Sequence, residues 1–410
     1  MLPLEAGETA GRVIVRTSQR PKSNQPHQVE VAAMRTRRHV AVTWLALLTL
    51  ASACGGDTGP LGEFPENTGY LRTAKKLVIF NADTHEIYRT IDLPEEPWQS
   101  DSHRLERDDK GRIWIGYNQA NPGYWWPWTV STLKTGVLVF SAQGDPEYEV
   151  KVSDDTECRS PRGGIAFAKG YAFIGCDQSY GRVLVVNTET MDIARTLEVE
   201  HPDPEVPRLS DLYIQAVEEV AGSILVFGSG RPPKGYDEVH PSTTGIAIVA
   251  RIDPDTLTVY DYKAELAPGS RVLDAVEVDG TAWLLNSFSH IPERPPRTDI
   301  YVMDPMTLEI VDSFNLLEPY PVWGTIGADG YVYIYHRRIG GVTRIDPVTR
   351  EIEYMDSERE TSAQGFDVYR GQPCIVLRSG LWCMNGDGGI DLKLPQESSI
   401  GVLFAPSKEE

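Results

Sequence analysis

The sequence predicts an all-β fold, a seven-bladed β-propeller of four-stranded blades, on three observations. An apolar, β-branched run that ends in a turn and resumes as a second strand recurs seven times. A glycine-centred hairpin falls between the copies. The two ends of the chain supply complementary parts of one blade, which both termini would close.

The run reads Leu77-Val78-Ile79-Phe80 before Asn81-Ala82-Asp83-Thr84, then Val137-Leu138-Val139-Phe140 before Ser141, then Val183-Leu184-Val185-Val186 before Asn187-Thr188-Glu189-Thr190. It returns before Asp253-Pro254-Asp255-Thr256, Asp304-Pro305-Met306-Thr307 and Asp346-Pro347-Val348-Thr349, and in degenerate form before Asn385-Gly386-Asp387-Gly388. The Asp-Pro-x-Thr form suits a type I turn, with Asp at the first corner and Pro fixing φ at the second. The turns start at 81, 141, 187, 253, 304, 346 and 385, so the spacings are 60, 46, 66, 51, 42 and 39. A four-stranded blade takes roughly 40–50 residues.

The second hairpin centres on Lys110-Gly111, Lys169-Gly170, Asp279-Gly280 and Asp329-Gly330, each inside apolar alternation. An Asp-Gly pair in that setting is a strong hairpin signal. Each unit therefore holds strands A, B, C and D, the A–B turn at the glycine and the C–D turn at Asp-Pro-x-Thr. Residues 400–404 provide an A strand with nothing after it, while 68–73 and 77–93 provide B, C and D with no A before them. The propeller is expected to span 68–405, with 406–410 as a tail.

In such a blade the D–A and B–C connections emerge on one face and the A–B and C–D turns on the other. All the long segments are of the first kind: B–C insertions at 118–135, 229–245 and 287–299, and D–A loops at 94–103, 153–162 and 200–210. Loops longer than a connection requires are usually functional, so this face is the expected working surface. Trp125, Trp126 and Trp128 concentrate aromatics in one insertion and suit a stacking platform for a ligand or a partner's apolar side chain, or a cap packed on the disc. His290 extends the same rim. Residues opening the A strands should line the channel mouth: Asp101, His103, Arg104, Arg162, Asp211, Tyr213, Arg271, Trp323 and Gln364, joined by His336 from the end of a B strand. Converging charges of both signs there would either bind a polar ligand or tie the blades together. His103 near Asp101 could serve as an acid/base or a metal ligand.

The formal net charge is -20. Seven of the 39 Lys/Arg and three of the 59 Asp/Glu precede Cys54, so the remainder carries 32 basic against 56 acidic residues. That surface repels phosphate backbones, which excludes nucleic acid as a natural partner. No phosphate-cradling loop, Gly-x-Ser-x-Gly elbow or zinc-spaced Cys/His cluster is present in the sequence. Setting Cys54 aside, the four remaining cysteines fall in two close pairs, and proximity favours Cys158–Cys176 and Cys374–Cys383 among the three connectivities. Disulfides fit an oxidising compartment.

Met34-Arg35-Thr36-Arg37-Arg38 is a positive n-region and 40–50 an apolar h-region, too short to span a bilayer comfortably. Ala51-Ser52-Ala53 before Cys54 resembles the lipobox of bacterial lipoproteins, in which the chain is cut before the cysteine and its thiol is diacylated. The resemblance implies a signal peptide at 34–53, lipidation of Cys54 and a flexible tether at 54–67. Residues 1–33 have no place in this scheme, and Met34 is the expected initiator. Gly55 after the cysteine carries no inner-membrane retention signal, which points to the outer membrane, facing the periplasm or the surface.

Over 68–405 the hydrophobic runs with Asp-Pro-x-Thr resemble the YVTN-type and quinoprotein-like propellers of bacteria. The Gly111-to-Trp114 pattern is similar to streptogramin-lyase-like repeats. The tryptophan docking motif of quinone-dependent dehydrogenases is missing, so no quinone and no other cofactor is implied. The expected function is a lipid-anchored, monomeric binding or scaffold module for a cell-envelope protein or a small polar or aromatic ligand. The alternative is a metal-assisted lyase or lactonase, with a divalent cation at the channel mouth.

Overall fold

The computed structural model describes residues 67–404 apart from 74, 94–104, 120–133, 153–157, 159–160, 177–180, 200–212, 231–245, 269–271, 287–297, 358–362, 378–379, 385–389 and 394–398. The expectations for the leader, the signal peptide, Cys54 and most of the tether, and for the tail, lie outside these residues.

Among the described residues, twenty-eight strands form seven four-stranded antiparallel sheets. Six sheets are consecutive in sequence, and their A strands are Leu105–Arg107, Pro161–Ala168, Tyr213–Val220, Val272–Val278, Pro321–Ile326 and Gly365–Tyr369. These are blades 2 to 7. In blade 1 the chain's last strand, Ser399–Phe404, pairs with Thr68–Thr73, which leads into Lys76–Asn81 and Ile87–Asp92. Both ends of the described chain thus share one blade, as expected.

The cores explain why the sequence runs are apolar without alternation. Buried side chains fall into seven clusters, each between two neighbouring blades. In the run Val183 to Val186, Val183 and Val185 pack toward blade 4 while Leu184 and Val186 pack toward blade 2. Both pleat faces are buried, so neither can be polar.

The turns are built locally. Asp304 Oδ1 accepts the N–H groups of Met306 and Thr307 at 2.8 and 2.9 Å, and Leu308 then takes a φ of 55°. Asp253 and Asp346 repeat this geometry, and Asn81 and Asn187 do so with an amide oxygen. These backbone bonds hold the carboxyls of Asp253, Asp304 and Asp346 below the usual range despite some opposing desolvation. Asp279-Gly280 has both φ values positive (47° and 74°), the two-residue hairpin expected of that pair.

Both disulfides form as expected. Cys374 and Cys383 are directly opposed on the B and C strands of blade 7. Cys158–Cys176 joins the D–A connection before blade 3 to the end of that blade's B strand. In blade 6 the Arg337 N–H, just past the B strand, donates to the Tyr320 carbonyl, just before the A strand, at 3.0 Å. D–A and B–C connections therefore meet on one face. The hairpin bearing the aromatic insertion runs slightly further than expected, to Gln119 opposite Lys134, and the A strand of blade 3 starts at Pro161.

Candidate functional site

The A strands surround a cavity of about 210 Å³ at the hub, to which six of the seven blades contribute. Glu106 comes from blade 2, Glu218 from blade 4, Asp274 from blade 5, Trp323 from blade 6, Gln364 and Asp367 from blade 7, and Gly401 to Leu403 from blade 1. Trp323 and Gln364 stand near the end where the D–A connections arrive, and Glu218 and Asp367 near the A–B turns. The cavity therefore runs along the channel rather than sitting at one rim.

A recurring irregularity shapes its upper part. The pairing of A with B slips between Pro161 and Ile165, Ile214 and Ala216, Val272 and Asp274, and Pro321 and Trp323. Blade 1 slips likewise, opposite Arg72 and Thr73. A bulge shifts the phase of the residues that follow and bends the strand. Asp274, Trp323 and Gly401, each immediately past a slip, line the cavity. In blade 3 the slip coincides with Gly164 at φ 90°, where an added Cβ would lie 2.8 Å from the Val217 nitrogen of the next blade. Only glycine permits that approach.

Two of the four lining carboxylates also fasten neighbouring blades. Asp274 is buried; Oδ1 accepts the Ala275 N–H at 2.9 Å and Oδ2 the Gly324 N–H of blade 6 at 2.8 Å. Asp367 accepts the Val368 N–H at 2.8 Å and the Phe404 N–H of blade 1 at 2.9 Å. Burial pushes Asp367 up to about 6, against the two backbone donors that pull it down. Its carboxyl can hold or release a proton near neutral pH. An aromatic wall stands beside them: Trp323 stacks on Tyr335 at 5.6 Å, and Tyr335 on Phe366 at 6.0 Å. An acid-lined well with an aromatic side suits a small polar or cationic molecule.

Of the expected site residues, the structure brings Trp323 and Gln364 together at this cavity. Arg162 and Tyr213 lie on the A strands of blades 3 and 4, with their side chains outside the described set. Asp101, His103, Arg104, Trp125, Trp126, Trp128, Asp211, Arg271 and His290 lie outside the described residues.

His336 is a correction. It is fully buried, Nδ1 donates to the Pro319 carbonyl at 2.9 Å, and Nε2 accepts from the Thr343 hydroxyl at 2.6 Å. Burial lowers its pKa to about 4, partly opposed by the Pro319 bond, so the ring is neutral. It belongs to the B strand, whose side chains point between blades and not into the channel. It is therefore a core histidine rather than part of a binding face.

The sequence reading missed Glu106, Glu218, Asp274 and Asp367. The signal was there: a carboxylate inside an otherwise apolar innermost strand, as in Val272-Leu273-Asp274-Ala275-Val276. Among the described residues no three of His, Cys, Asp and Glu come together so as to hold a metal ion. The metal-assisted alternative accordingly rests on Asp101, His103 and Asp211, beyond the described residues.

No protein-family model and no curated protein sequence matches this chain. Solved structures do. Hydrazine synthase of Kuenenia stuttgartiensis aligns with a TM-score of 0.53 at 13% identity, over 78% of this chain and 93% of that one. Dihydro-heme d1 dehydrogenase aligns at 0.50 and 11% identity, over 86% and 78%. Streptogramin B lyase aligns at 0.49 and 13% identity, over 76% and 87%. At such identities the likeness shows the fold alone, a β-propeller, and the seven blades are those of this chain's own sheets.

Proposed function

We propose that the protein is a binding module of the bacterial cell envelope, anchored through a lipid on Cys54 and working through the face where the D–A and B–C connections open. The observation that carries this reading is the hub cavity, built by six blades and walled by Trp323, Gln364 and four carboxylates. Its polar lining with one aromatic side departs from the mostly apolar pocket that holds a drug-sized ligand and suits a small polar molecule. The Cys158–Cys176 bond, which ties down a D–A connection on the same face, supports a pre-formed surface over a merely solvating one. The ligand class is a small polar or aromatic molecule, or the side chain of a partner protein.

The test is calorimetric titration of the purified chain with aromatic amines, sugars and amino acids, repeated with Trp323→Ala and Gln364→Ala. Saturable binding lost in both variants supports the reading. Saturable binding untouched by either removes the cavity from the function. Loss of palmitate labelling on Cys54→Ala tests the anchor separately.

A further inference from the structure

The opposite face, which carries the A–B and C–D turns, repeats an ionic latch between blades. The residue before the A–B glycine meets the third residue of the next blade's C–D corner. Lys110 of blade 2 pairs with Glu189 of blade 3, Lys169 of blade 3 with Asp255 of blade 4 at 3.6 Å, and Arg370 of blade 7 with Asp83 of blade 1 at 3.2 Å.

Among the five interfaces at which both positions belong to described residues, two consecutive ones break the pattern. In blade 4 the turn residue is Ala221, and the facing corner of blade 5 carries Met306. Met306 occupies the latch position: its Sδ lies 3.6 Å from Ser223 Oγ and 3.5 Å from Arg251 Nη1, both of blade 4. In blade 5 the turn residue is the exposed Asp279, and the corner of blade 6 carries Val348. That corner rests on blade 5, because Arg350 lies over the Trp283 ring at 4.0 Å. Met306 is 57% exposed, Val348 83%, and Ile326, at the foot of blade 6's A strand, 45%.

Single exposed apolar residues are ordinary. These differ because two of them stand where other blades place half of a charge pair. The same turn face also carries exposed Asp279, Glu309 and Glu351. The nearby cations are already engaged: Arg251 on Tyr260, Arg344 on Tyr331 and with Asp329 at 3.7 Å, and Arg350 on Trp283 and with Asp312 at 4.0 Å.

We propose that the sector around Met306, Val348 and Asp279 is a docking surface for a protein segment bearing a basic side chain next to an apolar one. The apolar group covers Val348 and Met306, and the cation completes at Asp279 the pair that blades 2, 3 and 7 complete internally. A second copy of this chain, or an anionic membrane, brings negative charge to a negative rim and is disfavoured. The surface is separate from the hub cavity, so it stands or falls independently of the proposed function.

The probe is an end-blocked hexapeptide of alternating leucine and lysine, titrated calorimetrically at physiological ionic strength, with a leucine–glutamate peptide as control. One-to-one binding of the lysine peptide is expected, weakened roughly tenfold or more by Met306→Glu/Val348→Glu or by Asp279→Lys. Glu189→Gln, on a latched corner, should leave it unchanged. An unchanged thermal midpoint shows that the variants fold, and Val348→Ser serves where Glu does not. Absent or multi-site binding, or equal loss with Glu189→Gln, overturns the proposal. So does self-association in sedimentation equilibrium, or flotation with phosphatidylglycerol vesicles, if Val348→Ser abolishes it.

Discussion

The Asp367 carboxylate on the A strand of blade 7 accepts the backbone N–H of Phe404, at 2.9 Å, on the strand that the chain's C-terminal part adds to blade 1. The same seam carries Tyr369, whose hydroxyl donates to Asp83 at 2.7 Å across 286 residues of sequence. Closure of the ring is thus fastened both at the hub and at the turn face.

Asp367 makes the fold sensitive to pH. An unfolded Asp titrates near 4, whereas this carboxyl holds its proton up to about 6 in the fold. The folded chain binds the extra proton between those values, so this group's contribution to stability falls as pH rises through the window, by about 3 kcal/mol at most. Asp367→Asn should remove that slope and cost about 1–3 kcal/mol at pH 5, where one of two backbone donors loses its acceptor. Urea denaturation of variant and parent from pH 4 to 7 reads both effects. An unaltered slope would show that Asp367 does not titrate in that range.

His336 acts in the opposite sense. Its folded pKa is lowered to about 4 from an ordinary value near 6.5. Its contribution to stability is complete above the ordinary value and is lost as pH falls toward the folded one, about 3 kcal/mol in all. The two groups act against each other in the parent between pH 4 and 6. Relative to the parent, His336→Asn should tilt the profile toward greater stability on acidification through that range, while Asp367→Asn should tilt it toward less. The same urea series, run on both variants, checks the pair.

Asp108 anchors a buried network on the turn face. Its Oδ2 accepts from Arg112 Nε at 2.7 Å and from Trp114 Nε1 at 2.9 Å, and Arg112 in turn donates to the Thr188 carbonyl of blade 3 at 2.8 Å. All three side chains are buried. Asp108→Ala strands a guanidinium and an indole N–H in the interface between blades 2 and 3, and should cost about 3–5 kcal/mol. Differential scanning calorimetry measures it. A loss no larger than that of the exposed Lys110→Ala would count against the network.

These residues also mark how far the sequence could be read. The run Val183 to Val186 and the Asp-Pro-x-Thr corners revealed the blades because both faces of a B or C strand are buried and the corner is closed by its own side chain. Cys374 and Cys383 were legible from their spacing around a turn. The hub was harder. At Asp274 the strand slips by one residue, so period-two reasoning loses phase where the channel lining begins. His336 stood at the right end of its strand but on the wrong one. Its position in sequence could not show that the Pro319 carbonyl and the Thr343 hydroxyl would enclose it.

The last strand gives the most direct test of closure. Residues of Ser399–Phe404 pair with Thr68–Thr73 across the ring's only seam between distant parts of the described chain, and Val402 and Phe404 pack in the core shared by blades 7 and 1. Ending the chain at residue 398 would leave Thr68–Thr73 with an unpaired edge and open an apolar cluster that contains Leu71, Val78 and Phe80. Exposed strand edges beside apolar surface pair between molecules. The truncated protein should therefore melt well below the parent and aggregate on concentration. A synthetic peptide covering 399–410, added in excess, should restore part of the lost thermal midpoint by refilling the gap. Light scattering and calorimetry check the two effects. A truncated chain that stays monomeric with the parent's midpoint would mean that the C-terminal strand does not hold the ring together.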